Sequence, residues 1–534
     1  MPSWCASWKS SGPLVRSKTE PEIRIKILKP IFTLSQRRFL CGLGATIALV
    51  AHLGATESAQ PPISTCAIAD FKPLLLSAGE EGTVDLWFSD ELERIPRNWV
   101  RVLTTVRAEG ETVAGLVFVD VLRREYRGKL STLQAGKEGE IGAEMEQAGR
   151  PVSLLRGVRL YYKGGPLRIA NLRLLHTEET LPRPDVTVQG TFDDSSIQKA
   201  LDALGPRGGV VCVPAGNYVI RNQIKVPVDN VTIYGDGAKT TLQGTWFETK
   251  ALILAEKRQN LRLTRLHLRS LPITCFRGYS EAKYALPGDA GRPSVHGTGI
   301  ELLHCHRTRV DHCEVELFGH AGLWCFGGSE NLVDHCFFHE NFHYGDGYGV
   351  CATATKDLFI EDNSFENHRH GIAAGNGASY TARFNRMIKD AAVLADWKQN
   401  ADAINQLRAH DIDAHPGCKW IFAHDNYVAM RNALMGGGAY MRGNPAWLCR
   451  NVFENCVPGI FCTGQSDDVW TWDNRFIECK NPKGQLREEY SDATGAIHFR
   501  QRPPQFREIP YPCELNRFNW WPGRPSETMQ KEAR

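Results

Sequence analysis

Three features that would each indicate a class of protein are absent from the 534-residue sequence. Lys plus Arg total 63 and Asp plus Glu total 60, so no concentration of positive charge favours nucleic-acid binding. The 16 cysteines include no CxxC pair and form no compact framework of the kind that builds disulfide scaffolds. No apolar run indicates a membrane span, because the best candidate, residues 39–55, is short and contains His52.

The cysteines lie instead inside strand-like runs, as Cys313 and Cys336 do in two similar Val-Asp-His-Cys sequences. A free cysteine behaves as a small buried hydrophobe, so stacked core thiols are the favoured interpretation. One or two bridges among Cys449, Cys456 and Cys462 are the alternative.

Residues 1–69 are predicted to be an export signal and an unstructured N-terminus. Arg37 and Arg38 precede the modest apolar run, and small residues follow it, which is typical of a secretory signal. The Arg-Arg-Phe-Leu string also resembles a twin-arginine signal. The sequence thus predicts export to the periplasm, cell surface or exterior, with no stable membrane span after signal removal.

The rest of the chain is predicted to be all-β: a right-handed parallel β-helix preceded by a smaller β-sandwich-like module. In residues 70–182, strand-like runs alternate with Gly, Glu and Lys turns, which is typical of an antiparallel sandwich. Residues 186–480 are predicted to form the β-helix, and residues 481–534 a tail that wraps its last coil. An amphipathic helix after Asp193, with an Asp or Ser cap, is predicted to cover the open end of the first coil.

The β-helix prediction depends on a repeat of one polar position, each two residues before an apolar one. The intervals are 22 to 27 residues, except for 41 residues between Asn385 and Asn426, and such a period indicates a solenoid. Asn at this column tolerates a left-handed bend and bonds its stacked neighbour. The long interval is predicted to hold a projecting loop. The column comprises Cys313, Cys336, Asn363, Asn385, Asn426, Asn451 and Asn474.

A second strand of each coil carries polar residues that the same alignment brings together. Parallel strands of adjacent coils lie about 4.8 Å apart, so side chains far apart in sequence converge. The predicted strip runs through His370, Asp411, Asp413, His415 and Arg442, and it is flanked by Tyr348 and Asp346. His312 and His335 fall at matching positions of the polar column and are predicted to stack on each other.

The ordered motifs GYGV, RHGIA, SYTARFN, DIDAH and RGNP resemble a group of bacterial right-handed β-helix proteins of the pectin-lyase superfamily. The resemblance is close over residues 341–453 and extends over residues 186–480 as architecture. It implies the fold and the place of the site rather than the reaction. The chain departs from the pattern at Pro416, where Gly is usual, and in the longer insertion before the DIDAH motif.

Two kinds of cleavage are compatible with the strip. In β-elimination from a uronate polymer, Arg442 or Arg383 neutralises the carboxylate, His370 or His415 removes the C5 proton, and Tyr348 is the acid. Arg383 lies in a strand beside apolar residues, and a pair with Asp or Glu on the next coil is its structural alternative. In hydrolysis, two carboxylates among Asp346, Asp411 and Asp413 flank the scissile bond. The excess of His and Arg favours elimination slightly, and a C5 epimerase uses nearly the same proton abstraction.

Two further hypotheses concern binding. The Asp411-x-Asp413-x-His415 pattern places alternate side chains on one face, where Ca²⁺ or a transition ion would fit. A cell-surface β-helix that only binds glycan is the non-enzymatic alternative. Polysaccharide is the expected partner in every case, and the candidate substrate-binding residues are Trp324, His343, Arg369 and Trp420.

Overall fold

The structure is a computed structural model that describes a series of ranges between residues 63 and 479. These are residues 63–67, 73–77, 79–88, 99–120, 125–144, 146–147, 150–151, 155–177, 181–244, 251–270, 297–341, 345–392, 407–432, 436–442, 445–462, 469–472 and 474–479. The predicted export signal, the C-terminal tail, His343 and most of the insertion before Asn426 lie outside the described residues. Residues 63–67, which were predicted to belong to the unstructured N-terminus, form a strand paired with residues 173–177. The other predicted domain boundaries stay predictions.

Two five-stranded antiparallel sheets form the β-sandwich-like module, as predicted. The first sheet contains Ile63–Ala67, Leu74–Leu76, Trp99–Ala108, Glu138–Glu144 and Leu167–Thr177. The second contains Gly79–Phe88, Thr112–Asp120, Glu125–Arg127, Ser131–Leu133 and Leu155–Gly164. Two short strands, Glu146–Gln147 and Arg150–Pro151, pair separately.

Alternate residues of these strands point to one shared core because side chains on a strand alternate between its faces. Val102 and Val106 of the first sheet pack in one cluster with Leu116 and Phe118 of the second. All four side chains are buried. The module is therefore a two-layer sandwich closed by its own apolar residues.

The helix Asp194–Asp202 begins at the predicted cap. The side chain of Asp193 accepts a hydrogen bond of 3.1 Å from the backbone N–H of Ser196, which satisfies one free donor of the first turn. Ile197 and Leu201 are buried in the same core cluster as the first solenoid strands. The helix thus covers apolar residues that the first coil would otherwise leave exposed.

Every strand pair of the solenoid is parallel, and the strands form two sheets. The sheet that carries the polar strip, named here the site sheet, has nine strands: Ile224–Lys225, Ala251–Glu256, Thr298–Leu303, Ala321–Phe326, Tyr348–Thr353, His370–Gly375, Ile412–Ala414, Ala439–Met441 and Ile460–Cys462. The predicted parallel β-helix is confirmed.

The other sheet, named here the ladder sheet, has 19 strands. They are Val186–Thr187, Gly209–Cys212, Gly216–Ile220, Val231–Gly244, Gln259–Arg269, His306–Asp311, Glu314–Glu316, Leu332–Asp334, Phe337–His339, Leu358–Glu361, Ser364–Glu366, Ser379–Arg383, Arg386–Asp390, Trp420–His424, Tyr427–Arg431, Ala446–Cys449, Val452–Glu454, Val469–Trp472 and Arg475–Ile477.

The polar column forms the bend between two strands of the ladder sheet. The side-chain amide of Asn363 donates to Oδ1 of Asn385 at 3.1 Å, and Asn385 donates to Asn426 at 3.0 Å. The contact repeats from Asn426 to Asn451 at 3.0 Å. Each asparagine amide therefore satisfies the hydrogen-bonding groups of the next one at a bend, where the backbone has no strand partner. The ladder continues across the 41-residue interval between Asn385 and Asn426.

One detail of the predicted bend is wrong. The left-handed conformation belongs to the residue before the ladder asparagine, as in Asp362 (φ 55°) and Asp425 (φ 53°), and not to the asparagine. An aspartate tolerates this conformation, so these two residues serve the turn. His312 and His335 occupy the same place in their coils, and their rings stack with centroids 4.9 Å apart and planes 8° apart, as predicted.

Eleven cysteines in the described part of the chain form no disulfide bond, which confirms the prediction of core thiols. Ten of these 11 thiols are buried. The alternative bridges among Cys449, Cys456 and Cys462 are not formed. In the described part of the chain, no helix is both long and apolar enough to cross a membrane.

Candidate functional site

The site lies on the outer face of the site sheet. Ile372 and Ile412 are register partners that point into the core, so the residues next to them, Ala373 and Asp413, point outward and are partners too. Asp413 is paired in turn with Tyr440 of the next coil. Asp413 thus stands between a small and an aromatic residue on one row of outward side chains.

Asp413 is the centre of the polar cluster, and its side chain is fully buried. Its Oδ2 accepts a hydrogen bond of 2.5 Å from Nη2 of Arg442 and lies 2.8 Å from Nε2 of His415. The same Arg442 nitrogen is 3.2 Å from Nε2 of His415. The side chains of His415 and Arg442 are 34% and 24% exposed, so both are accessible from outside while Asp413 is not.

Two further histidines approach Asp413. Nε2 of His370 lies 3.5 Å from Oδ2 of Asp413, and Nε2 of His410 lies 3.4 Å from its Oδ1. Nδ1 of His370 is 2.6 Å from the backbone carbonyl oxygen of His410. The rings of the two histidines have centroids 4.6 Å apart.

The charges of the cluster follow from burial. Burial lowers the pKa of His370 well below its usual value and that of His410 to about 4, so both rings are neutral near pH 7. Burial by itself raises the pKa of the Asp413 carboxyl, but its contacts with the surrounding histidines, including the hydrogen bond from His415, lower it well below its usual range. Asp413 is therefore the anion of the cluster and Arg442 its cation.

Tyr348 extends the cluster onto the preceding coil. Its ring is stacked on His370 with centroids 5.6 Å apart and planes 11° apart. Its hydroxyl donates to the carbonyl oxygen of Gly345 at 3.2 Å and accepts a 3.4 Å contact from Nη1 of Arg369. Burial raises the pKa of Tyr348, so its hydroxyl keeps the proton at neutral pH.

Asp411 is turned away from this group. Its Oδ1 accepts the backbone N–H of Gly371 at 3.2 Å and lies 3.5 Å from Nζ of Lys389, which is itself fully buried. Burial raises the pKa of Asp411 to about 6, against the opposing attraction of Lys389. The predicted row of Asp411, Asp413 and His415 on one strand face is therefore not formed.

The structure brings His370, Asp413, His415, Arg442 and Tyr348 together, as the alignment predicted. Arg369 contacts Tyr348, and Asp346 lies close enough to raise the pKa of that tyrosine. Trp324 lies on the site sheet two coils before His370, and its indole N–H donates to Thr353 at 3.2 Å.

Two predicted site residues lie elsewhere. Arg383 and Trp420 are on strands of the ladder sheet. The Nε of Arg383 bonds Glu361 at 2.8 Å with both side chains buried, so Arg383 neutralises an acid of the adjacent coil, as its structural alternative predicted, and does not face a substrate. The sequence alignment placed it in a strand correctly but did not distinguish the two sheets.

His410 and Tyr440 belong to the site and were not predicted. The ring of Tyr440 packs edge-on to His410 with centroids 4.6 Å apart, and the guanidinium of Arg442 lies 4.7 Å above the Tyr440 ring. Both residues flank predicted ones: His410 directly precedes the DIDAH motif, and Tyr440 lies two residues before Arg442. Extending each motif by two residues would have found them.

Two groups of three side chains in the described residues place one potential metal-ligand atom each within 4.8 Å of the others. One is His370, His410 and Asp413; the other is Glu316, His339 and Glu340. A metal-competent group is thus present on the predicted strip, but it contains two histidines and one carboxylate in place of the Asp411, Asp413 and His415 set.

Residues 187–396 match the family model described as rhamnogalacturonase A/epimerase, pectate lyase-like. The nine-stranded and 19-stranded sheets show a parallel β-helix, and this match supports its likeness to the pectin-lyase-like proteins that the motifs resemble. No curated protein matches the chain.

Solved structures of similar fold include three carbohydrate-active proteins. An alginate lyase from Paenibacillus sp. str. FPU-7 is 13% identical, with a TM-score of 0.41 over 55% of this chain and 97% of that one. An endo-xylogalacturonan hydrolase from Aspergillus tubingensis is 11% identical, with a TM-score of 0.30 over 59% and 100%. The A-module of an Azotobacter vinelandii mannuronan C-5 epimerase is 13% identical, with a TM-score of 0.28 over 60% and 100%.

Proposed function

We propose that this protein is a carbohydrate-active enzyme that cleaves a uronate-containing polysaccharide by β-elimination. The description of the matching family model, rhamnogalacturonase A/epimerase and pectate lyase-like, supports action on a uronate polymer. The arrangement around Asp413 supports elimination as the reaction. Export to the periplasm, cell surface or exterior is part of the proposal, because polymers of this kind lie outside the cytoplasm.

The observation that carries the proposal is the sharing of one carboxylate oxygen by Arg442 and His415. Because the oxygen of Asp413 only accepts, the Nε2 of His415 carries the proton and its Nδ1 has the free lone pair. The ring, at 34% exposed, then presents a base beside the guanidinium of Arg442. A base next to a cation is the pair that removal of a proton α to a carboxylate requires.

The reaction follows from these positions. Arg442 pairs with the substrate carboxylate and stabilises the negative charge that develops as the C5–H bond breaks. His415 accepts the C5 proton, and the electron pair of that bond forms the C4–C5 double bond. The C4–O bond breaks, and the leaving oxygen takes the proton of the Tyr348 hydroxyl. The products are a 4,5-unsaturated uronate and a chain with a new end.

Hydrolysis is the less favoured alternative because it requires two carboxylates on either side of the bond. Of the two aspartates of the DIDAH motif, only Asp413 points to the cluster, since Asp411 bonds Gly371 and lies beside Lys389. Asp346, which precedes a strand two coils from that of Asp413, is the remaining candidate partner. Epimerisation shares the proton abstraction at C5 and differs in returning a proton to the opposite face.

The test is incubation of the purified chain with galacturonate polymers, other uronate polymers and neutral glucans. We expect ultraviolet absorbance from the conjugated unsaturated uronate with at least one uronate polymer and none with the glucans. New reducing ends without that absorbance would assign a hydrolase. Binding without any product would assign a glycan-binding β-helix.

The matched variants are His415→Ala and His306→Ala. Loss of a general base lowers the rate by about 10²- to 10⁴-fold, so we expect His415→Ala to fall by that factor. His306 is exposed on the ladder sheet, where it bonds Ser329 at 3.0 Å, and its variant should keep full activity. Wild-type activity in His415→Ala would remove it from the role of base.

A further inference from the structure

Three potential metal-ligand atoms of the cluster are buried and have no hydrogen-bond partner among the described residues. They are Nε2 of His370, Nε2 of His410 and Oδ1 of Asp413. The same three side chains form one of the two groups whose ligand atoms lie within 4.8 Å of one another. Buried polar atoms are nearly always bonded, so three of them converging on one point indicate a place for a bound species.

The protonation of His370 prepares its Nε2 as a ligand. Its Nδ1 lies 2.6 Å from the backbone carbonyl oxygen of His410, and a carbonyl only accepts, so Nδ1 carries the hydrogen. The lone pair is then on Nε2, which points to Asp413. A metal-bound histidine is typically held in this way, with its far N–H donated to a carbonyl or carboxylate.

The carboxylate of Asp413 is held in the same manner. Arg442 and His415 both contact Oδ2, at 2.5 Å and 2.8 Å, and so fix the orientation of the group. Oδ1 is left on the side of His410, 3.4 Å from its Nε2. In a tetrahedral site with metal–ligand bonds of about 2.0–2.1 Å, neighbouring ligand atoms are about 3.3–3.4 Å apart.

We propose that His370, His410 and Asp413 bind one divalent transition-metal ion. Two imidazole nitrogens favour Zn²⁺ or a similar ion over Ca²⁺, which prefers six to eight oxygen ligands. Three protein ligands leave a position for water or another small ligand, as in catalytic metal sites. The site does not depend on the proposed reaction, and it differs from the predicted calcium set in replacing Asp411 and His415 by the two histidines.

The experiment uses the full chain after removal of metal by a chelator, titrated with Co²⁺ and then with Zn²⁺. We expect one Co²⁺ to bind per chain, with the visible absorption of tetrahedral Co²⁺. Zn²⁺ should displace this ion, and excess Ca²⁺ should not. An absence of stoichiometric Co²⁺ binding, which is the result if the three atoms bind only water, would overturn the proposal. Displacement by Ca²⁺ would overturn the assignment to a transition metal.

The variant His410→Gln tests the ligands, because its side chain is 19% exposed and its loss leaves the core packing of the coil in place. Loss of an outer contact to a metal ligand already lowers affinity by about 10- to 100-fold, so we expect loss of a ligand to exceed that range. His339→Gln, in the second group, is the matched control and should bind as the wild type does. The reverse pattern would overturn the proposal.

Folding of each variant is checked by thermal unfolding in chelator, where no metal contributes to stability. Added Zn²⁺ should raise the unfolding temperature of the wild type and of His339→Gln, because a ligand that binds only the folded state stabilises it. Asp413→Asn provides a second ligand variant. A Zn²⁺-dependent rise in both ligand variants equal to that of the wild type would contradict the site.

Discussion

Asp311 on the ladder sheet and Asp413 on the site sheet are both fully buried carboxylates, but they are bonded in different ways. Asp311 accepts from Arg262 through both oxygens, at 2.8 Å and 2.7 Å, and its Oδ2 also accepts from Thr264 at 2.8 Å. Asp413 uses one oxygen for its two partners and leaves the other without a hydrogen bond in the described structure.

The residues around the two aspartates differ in the same way. Asp334, one coil beyond Asp311, has both oxygens bonded by Arg309, at 2.8 Å and 2.9 Å. These arginines are buried with the carboxylates they bond, whereas Arg442 and His415 reach the surface. A buried charge with every oxygen satisfied fixes one arrangement of the coils. A buried carboxylate oxygen that lacks a hydrogen bond, as Oδ1 of Asp413 does, can bind a ligand from outside the chain.

The largest effect is expected from Asp311→Asn. The substitution keeps the shape of the side chain but leaves the guanidinium of Arg262 buried beside a neutral group. Breaking a buried ion pair in this way costs about 3–5 kcal/mol, and we expect that decrease in the free energy of unfolding in urea.

The matched control is Asp85→Asn in the sandwich. Asp85 bonds Nε of Arg159 at 2.6 Å, but the two side chains are 57% and 31% exposed. Exposed pairs contribute about 0–1 kcal/mol, so this variant should be nearly as stable as the wild type. Equal losses of unfolding free energy in the two variants would show that the buried ladder-sheet pair contributes no more to stability than an exposed pair does.

The second prediction concerns acid. Burial alone raises the pKa of the Asp311 carboxyl, but Arg262 and Arg309 lower it well below its usual range. Asp334 is lowered by Arg309 in the same way. Because the folded-state pKa is lowered, the stabilisation is complete above the ordinary value of about 3.9 and is lost as the pH falls below it.

By this linkage, each such carboxylate stabilises the folded state at neutral pH. The difference in unfolding free energy between the wild type and Asp311→Asn should therefore be constant from neutral pH to about pH 5 and should shrink at lower pH. Urea unfolding of both proteins over that range measures it. A difference that stayed the same into acid would show that Asp311 is not stabilised by its charge.

Most of the fold was predictable because single polar residues at regular intervals mark each coil of the repeat. A solenoid stacks equivalent positions, so the asparagine column alone gives the coil boundaries, and the interval of 41 residues is recognised as an insertion. The capping helix was predictable from Asp193 and its apolar spacing. The left-handed residue before each asparagine was not, because Asp362, Phe384 and Arg450 share the conformation and no residue type.

The sequence predicted which residues lie near one another in the site, but not their hydrogen bonds or the direction of their side chains. Adjacent coils bring His370 and Asp413 together whatever their loops do, so the alignment found them. Which oxygen of Asp413 is bonded, and which way Asp411 turns, depend on Lys389 and on the loop backbone, neither of which has a sequence signature. Arg383 was misplaced because a strand of either sheet looks alike in sequence when both of its faces are buried.

A much smaller loss of stability than that of Asp311→Asn is expected from Asp413→Asn, measured in chelator-treated protein. Its two partners lie 34% and 24% exposed, so water solvates Arg442 and His415 once the carboxylate is neutral. His370 and His410 are neutral already and need no counter-charge. The free energy of unfolding should fall by no more than about 1.5 kcal/mol, the contribution of ordinary hydrogen bonds, while cleavage activity is lost. A loss as large as that of Asp311→Asn would mean that Asp413 holds the coils together as Asp311 does, and the distinction between the two sheets would be wrong.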